Sequence, residues 1–82
     1  LALDLEITLT PDTDAIRAAV EASVADMLRR EAEPGKVLAL SKIGEAIAIA
    51  AGEEAHVLLD PVADVVPLPG ELVVPGLITW TP

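Results

Sequence analysis

The stretch from Thr10 to Arg30 constrains the fold more than any other part of this sequence. Its apolar residues recur at intervals of three and four, which is the spacing of one face of an α-helix. This face consists of Ile16, Val20, Val24, Met27 and Leu28. The charged residues of the stretch lie away from it. An apolar helix face needs apolar surface to cover it, so we expect an amphipathic helix packed against the strands that precede and follow it.

Both ends of this helix are marked by residues that cap or stop helices. The N-cap is predicted at Thr10, or one turn later at Asp12 or Thr13, because each side chain can accept a hydrogen bond from a free helical N–H group. At the other end, Pro34-Gly35 cannot continue a helix. The helix should therefore fade over residues 31–33.

Residues 1–9 alternate between apolar and polar side chains, which indicates a β-strand with one buried and one solvated face. The residues predicted to be buried are Leu1, Leu3, Leu5, Ile7 and Leu9. The solvated face consists of Ala2, Asp4, Glu6 and Thr8. Because Leu1 already lies within this pattern and no initiator methionine precedes it, we expect the 82 residues to be a fragment of a longer protein.

A second, shorter helix is predicted from Lys42 to about Ala51, after an extended connector at residues 36–40. Ser41 is a natural N-cap for it, and Gly52 stands where it should end. Gly44 lies inside its first turn, and we interpret this glycine as a site of close packing against a neighbour. The apolar face consists of Ile43, Ala46, Ile47 and Ala50.

Two more strands are predicted in the last third of the chain. The first covers residues 55–60, and the second runs through residues 71–74 and 77–81 with Pro75-Gly76 between them. Proline has no N–H to donate, so the last strand should lie at a sheet edge or be bulged at this point. Its predicted buried face consists of Leu72, Val74, Ile78 and Trp80.

The order of elements is strand, helix, helix, strand, strand. This order predicts a single α+β domain over residues 1–82, in which two helices pack on one face of a small antiparallel or mixed sheet as a two-layer sandwich.

The composition excludes several classes of partner. Fourteen acidic and five basic residues give a net charge of −9, which would repel phosphate backbones, so we expect neither nucleic acid nor membrane as a partner. Trp80 is the only aromatic residue, and stacking surfaces for bases need several rings. No apolar run approaches the roughly 18–20 residues of a membrane span.

No group of residues forms a recognisable catalytic, cofactor or metal site, so we expect no enzymatic activity and no cofactor. His56 stands beside Glu54 and Asp60, but we interpret it as a solvated strand residue. Asp12 and Asp14 resemble the first ligands of a calcium loop, but the glycine and the distant glutamate of such a loop are missing. We interpret these two acids as helix N-terminal residues.

Three further features have simple structural interpretations. Ser41 and Lys42 are adjacent on a helix and therefore do not face each other as a catalytic pair. Asp64, four residues after Asp60, is interpreted as a loop cap. Trp80 is predicted to be a core or half-core residue, with an interface anchor as the alternative. The strand edges favour assembly, because exposed edges are either blocked or used for pairing.

Three groups of residues, taken in order, carry a family resemblance. Leu9-Thr10-Pro11 is followed by the helical residues 14–22, and Pro34-Gly35 is followed by residues 40–47. Residues 69–81 then supply a closing strand. In this succession the sequence resembles the C-terminal domain of baseplate J-like proteins from contractile phage tails and related prophages. Two places depart from the family pattern, residues 52–56 and Pro75.

The resemblance implies a structural role. A baseplate J-like domain would be part of the tail baseplate wedge, would join neighbouring wedge subunits around the central hub, and would be made in the bacterial cytoplasm before assembly into the virion tail. Its partners would be other baseplate or tail proteins, with a homo-oligomer as a further possibility. No catalytic residues of the family map onto this chain. The alternative hypothesis is a small ligand-binding or regulatory α+β module that dimerises through its sheet.

Overall fold

A computed structural model describes residues 1–52 and 55–81. In chain order the elements are β1 (Ala2–Thr10), α1 (Asp14–Glu31), α2 (Leu40–Ala51), β2 (Ala55–Asp60) and β3 (Val74–Trp80). The strands form one sheet in the order β2-β1-β3, with β1 antiparallel to β2 and parallel to β3. The predicted α+β fold, with two helices and a mixed sheet, is confirmed. The first departure from the family pattern includes residues 53 and 54, which lie outside the described residues.

Strand β1 is the centre of the molecule because it pairs on both sides and faces both helices. Its alternation is confirmed for Leu3, Leu5, Ile7 and Leu9, all of which are buried. Leu1 is exposed, contrary to the prediction, because it precedes the strand.

The rest of the core comes mainly from the two helices. The buried residues of α1 are Val20, Val24, Met27 and Leu28, and those of α2 are Ile43, Ala46, Ile47 and Ala51. Ile16 and Ala50 are only partly buried at the rim of the core. The helices are also joined by a hydrogen bond in which the Ser23 hydroxyl donates to the Ala46 carbonyl oxygen at 2.7 Å. Each fully buried Val or Ile side chain contributes about 1.5–3 kcal/mol to the free energy of folding.

Thr13 is the N-cap of α1. Its backbone is extended, and its hydroxyl oxygen accepts a hydrogen bond from the Ile16 N–H at 3.2 Å. This settles the choice among the three predicted caps. The helix ends at Glu31, so the predicted fading over residues 31–33 is also confirmed.

Helix α2 is capped from a distance rather than by its own sequence. It begins at Leu40, and no side chain at its N-cap residue Ala39 accepts a hydrogen bond, so the predicted Ser41 cap is wrong. Instead, an Asp64 carboxylate oxygen accepts from the Leu40 N–H at 2.7 Å. Next to this contact, Leu38 and Val65 exchange two backbone hydrogen bonds. The free N–H of a helix start can be satisfied by any nearby acceptor, and here the loop after β2 supplies it.

Of the two glycines predicted to shape α2, only the second has the expected role. Gly52 ends the helix with a φ of 65°, a conformation that side chains disfavour. Gly44 was expected to allow close packing, but no atom lies within 4 Å of the position that a β-carbon would take there. That prediction is wrong.

Strand β3 lies at the sheet edge and has an irregularity at Pro75, so both alternatives for this proline are confirmed. From Ala2 to Leu5 the chain advances three residues on β1, whereas from Val74 to Ile78 it advances four on β3. The additional residue reverses the alternation of β3. A β-carbon at Gly76 would lie 2.7 Å from the Leu3 carbonyl oxygen, so only glycine fits where the strands meet.

This reversal corrects the predicted buried face of β3. Ile78 and Trp80 pack against the core as expected. Leu72 and Val74 are exposed, at 43% and 41%, because Leu72 precedes the strand and Val74 lies on the other side of the irregularity. Val73, which the alternation excluded, is only 3% exposed and belongs to the core.

Candidate assembly surface

One face of the sheet carries the helices, and the opposite face is open in the described part of the chain. The register places Thr8 opposite Val57 and Glu6 opposite Thr79 on this open face. Glu6 is also opposite Asp60 of β2, so two carboxylates stand side by side. Like charges that face each other across strands destabilise a sheet slightly. The open face therefore combines an acidic centre with aliphatic side chains on the flanking strands.

The outer edge of β2 is free. None of its residues is buried, and Val57 is 52% exposed. Within the described residues, the backbone groups of Ala55–Asp60 form no hydrogen bonds beyond those of the strand ladder. The strand contains no proline, lysine or arginine, which are common means of blocking an edge. This edge is open to pairing.

The outer edge of β3 differs. Pro75 lacks an N–H group, and the irregularity beside it bends the strand away from the regular pattern. Asp4 holds this part in place, since its carboxylate accepts a hydrogen bond from the Leu77 N–H at 2.9 Å. An incoming strand would find no backbone N–H donor at Pro75 on this edge.

A groove runs between α1 and β3, and we refer to it as the α1–β3 groove. It consists of two adjoining cavities of about 340 and 350 Å³, which share Ala25 and Pro75. The lining is mostly aliphatic, and its charged residues are Glu21 and Arg29. A site for a small polar ligand needs several polar groups that converge on one point. The lining of the groove shows no such convergence.

The loop between β2 and β3 adds further aliphatic surface. Val62, Val66 and Leu68 are largely exposed. The same loop supplies Asp64 to the start of α2 and Val65 to the bridge with Leu38. These contacts anchor the loop while its apolar side chains face outward.

The charged groups of α1 pair with each other at the surface. Two of the three guanidinium nitrogens of Arg17, Nε and Nη2, donate to the Asp12 carboxylate at 2.6 Å, and this hydrogen bonding lowers the pKa of Asp12. The same guanidinium lies 5.3 Å from the centre of the Trp80 ring, within the range of a cation–π contact. Arg29 and Arg30 both donate to Asp26, which lowers the pKa of Asp26. These pairs stabilise the helix and join its start to β3.

The candidate site residues do not come together. His56 is opposite Leu9 while Asp60 is opposite Glu6, so these two side chains lie at opposite ends of β2; Glu54 lies outside the described residues. Over residues 1–52 and 55–81, no three His, Asp or Glu side chains are placed to hold a metal ion. Asp12 is engaged by Arg17.

The remaining candidates have structural roles. Lys42 lies 3.8 Å from a Glu31 carboxylate oxygen. Asp64, interpreted as a loop cap, instead caps the start of α2. Trp80 is half-buried, as expected for a half-core residue. Two features could not be found from sequence, the α1–β3 groove and the buried Val73, because both depend on the irregularity at Pro75. In the described ranges, no helix is both long and apolar enough to cross a membrane.

A small α+β fold with aliphatic surface, one open sheet edge and no converging polar groups is typical of an interaction domain. Comparison with known families gives a match to the baseplate J-like protein C-terminal domain over residues 3–81. The chain therefore belongs to the baseplate J-like family and corresponds to its C-terminal domain. This membership indicates a structural role in a phage tail baseplate.

One curated relative is the protein JayE of Escherichia coli (strain K12). The two sequences are 44% identical over 79 residues, which is 96% of this chain. The chain spans 30% of the length of JayE. No solved structure matches the chain.

Proposed function

We propose that this domain joins neighbouring subunits of the baseplate wedge and performs no catalysis. The observation that carries the proposal is the open edge of β2 next to exposed aliphatic side chains, on a domain whose family is structural. Contiguous exposed apolar surface in a small domain marks a site of contact with other proteins. Candidate catalytic residues do not converge in the described part of the chain, which supports a role without chemistry.

The proposal places the protein in the tail baseplate of the virion, after assembly in the bacterial cytoplasm. Other baseplate proteins are its partners, and association between copies is a secondary possibility. Nucleic acid and membranes are poor partners, because the net charge of −9 repels both. Residues 1–82 act as one domain of a longer chain in this proposal.

The test is removal of the domain from the longer protein. The full protein would be produced together with the other tail proteins of its gene cluster, with and without residues 3–81, and particles would be examined by electron microscopy. We expect baseplates to form only when the domain is present. Gly44→Ala serves as the control, because its site is open and away from the sheet edge. Normal baseplates without the domain would contradict the proposal.

The alternative is a ligand-binding module, and the α1–β3 groove is the observation that favours it. Its volume suits a small molecule, but its open shape and aliphatic lining suit a protein partner better. Light scattering of the domain across a dilution series distinguishes a dimer from a monomer and so tests one property of the module. The module dimerises through its sheet, so a monomer at every concentration would contradict it. A dimer would be compatible with both the module and association between copies of a baseplate domain.

A further inference from the structure

We propose that the free edge of β2 takes an extended segment of a different protein subunit as a fourth strand. The segment presents an aliphatic residue next to Val57 and a lysine or arginine next to Asp60, on the same face of the sheet. This inference rests on the proposed function and specifies the surface and the chemistry of the partner.

Backbone geometry selects β2 over β3. The six residues of β2 include no proline, so every position has a backbone N–H for strand addition, although its register with β1 shifts between Leu58 and Asp60. At about 3.3 Å per residue, β2 provides roughly 20 Å of pairing edge. On β3, Pro75 removes a donor from the row. An added strand therefore belongs beside β2.

Two exposed side chains of β2 specify the partner. Val57 favours an aliphatic neighbour, and Asp60 favours a cation. Val57 is half-exposed on the open face, where an added strand would cover it with its own side chain. Asp60 lies on the same face with Glu6 on its inner side. No ion pair in the described part of the chain involves either carboxylate. A basic side chain opposite Asp60 would form a favourable cross-strand pair with it.

The charge distribution makes a second copy of this chain a poor occupant. All five basic residues lie between Arg17 and Lys42, and residues 43–82 contain acidic residues alone as charged groups. Pairing β2 with β2 of another copy would bring no cation to Asp60. It would also bring together two chains that each carry a net charge of −9. A different, basic segment resolves both difficulties.

The experiment measures binding of a defined peptide to the 82-residue domain. The probe is a fluorescein-labelled eight-residue peptide in which two valines and two lysines repeat, so that each face of the strand carries both residue types. The control peptide has glutamate in place of lysine. Binding is followed by fluorescence anisotropy at low and high salt. We expect the lysine peptide to bind in a salt-sensitive manner and the glutamate peptide not to bind.

Two matched variants locate the binding site. Val57→Lys places a charge on the pairing edge, and Val66→Lys adds the same charge on the exposed loop. We expect Val57→Lys to raise the Kd of the lysine peptide about ten-fold or more, because edge lysines block pairing and repel a basic strand, and Val66→Lys to change it by less than about two-fold. Hydrogen exchange should show that the peptide protects amides of residues 55–60 and leaves those of residues 74–80 unchanged.

Several results would overturn the inference. These are equal binding of both peptides, no binding of the lysine peptide, an equal loss in the two variants, or protection on β3 instead of β2. Dimerisation of the domain that Val57→Lys abolishes would assign the edge to a second copy. In the full protein, Val57→Lys separates the inference from the proposed function. If removal of the domain prevents baseplate formation and Val57→Lys does not, the function holds and the strand-addition inference fails.

Discussion

The two outer strands of this sheet share one central strand but have different edges. Strand β3 contains Pro75, pairs irregularly with β1 and is held by Asp4. Strand β2 also pairs irregularly with β1, between Leu58 and Asp60, but it contains no proline, lysine or arginine and has no outer neighbour in the described part of the chain. In this three-stranded sheet the edge of β3 is blocked and the edge of β2 is free. Pairing with a further strand is therefore directed to β2. The comparison shows how one proline leaves a small sheet with a single edge suited to strand addition.

The two outer strands also differ in the contacts that hold them to the rest of the domain. Val73 anchors the start of β3 in the core, and Trp80 near its end lies under Arg17. Strand β2 is supported mainly by its pairing with β1, and the loop after it is tied to α2 through Asp64. The four predictions below test these differences.

The largest effect is expected when lysine replaces the buried Val73, with Val57→Lys as the exposed counterpart. Val73→Lys places a charge in the core and should lower the free energy of unfolding by about 4 kcal/mol or more, a large share of the total for a domain of this size. Val57→Lys, at an exposed position, should change it by less than about 0.5 kcal/mol. Denaturant unfolding measures both. A folded and stable Val73→Lys variant would contradict the assignment of Val73 to the core.

The next effect concerns the close approach of β3 to β1. Gly76→Ala adds a β-carbon that collides with the Leu3 carbonyl oxygen and the Asp4 carboxylate, so we expect a loss of about 2 kcal/mol of stability. Gly44→Ala adds the same atom at an open helical position and should gain roughly 0.5–1 kcal/mol. Thermal unfolding of the two variants checks this. Equal shifts in the same direction would mean that Gly76 is not confined.

A smaller effect is expected where the loop after β2 caps α2. Asp64→Ala removes the acceptor of the Leu40 N–H and should lower stability by about 1 kcal/mol. Ser41→Ala should have an effect within about 0.5 kcal/mol, because Ser41 does not cap the helix. Denaturant unfolding compares the two. A larger loss of stability for Ser41→Ala than for Asp64→Ala would mean that Ser41 caps α2, as the sequence suggests.

The smallest effect concerns the contact that supports the end of β3. The hydrogen bond with Arg17 lowers the pKa of Asp12 below its usual value of 3.8, so its contribution to stability is present above that pH and is lost as pH falls through the lowered pKa. The difference in stability between the wild type and Asp12→Asn should therefore be small, constant at neutral pH, and absent in strong acid. Fluorescence of Trp80, the only tryptophan, can follow unfolding. A difference that grows on acidification would refute this linkage.

Sequence reasoning succeeded where one local pattern decides the structure. The alternation of residues 1–9 predicted β1, because one face meets the core and the other is open. The spacing of Val20, Val24 and Leu28 predicted the buried face of α1. The stop at Gly52 followed from the conformation that a helix end requires.

It failed where a distant part of the chain decides. The cap of α2 is Asp64, which lies 24 residues from Leu40, and no local pattern reveals such a partner. The buried residues around Pro75 were assigned to the wrong face because an irregularity reverses the alternation after it. Pro75 itself indicated that irregularity, but its exact position depends on how β3 pairs with β1. The free edge of β2 also required the strand order, which the sequence left open.

The parallel pairing of β1 and β3 has a mechanical consequence. Ala2 is opposite Val74 and Ile7 is opposite Trp80, so the first strand starts at one end of the sheet and the last strand finishes at the other. A force that separates residue 1 from residue 81 pulls β1 and β3 in opposite directions along their lengths. The hydrogen bonds of the β1–β3 ladder then resist together in shear, instead of opening one after another. Tension that passes through this domain along β1 and β3 therefore loads these hydrogen bonds in parallel.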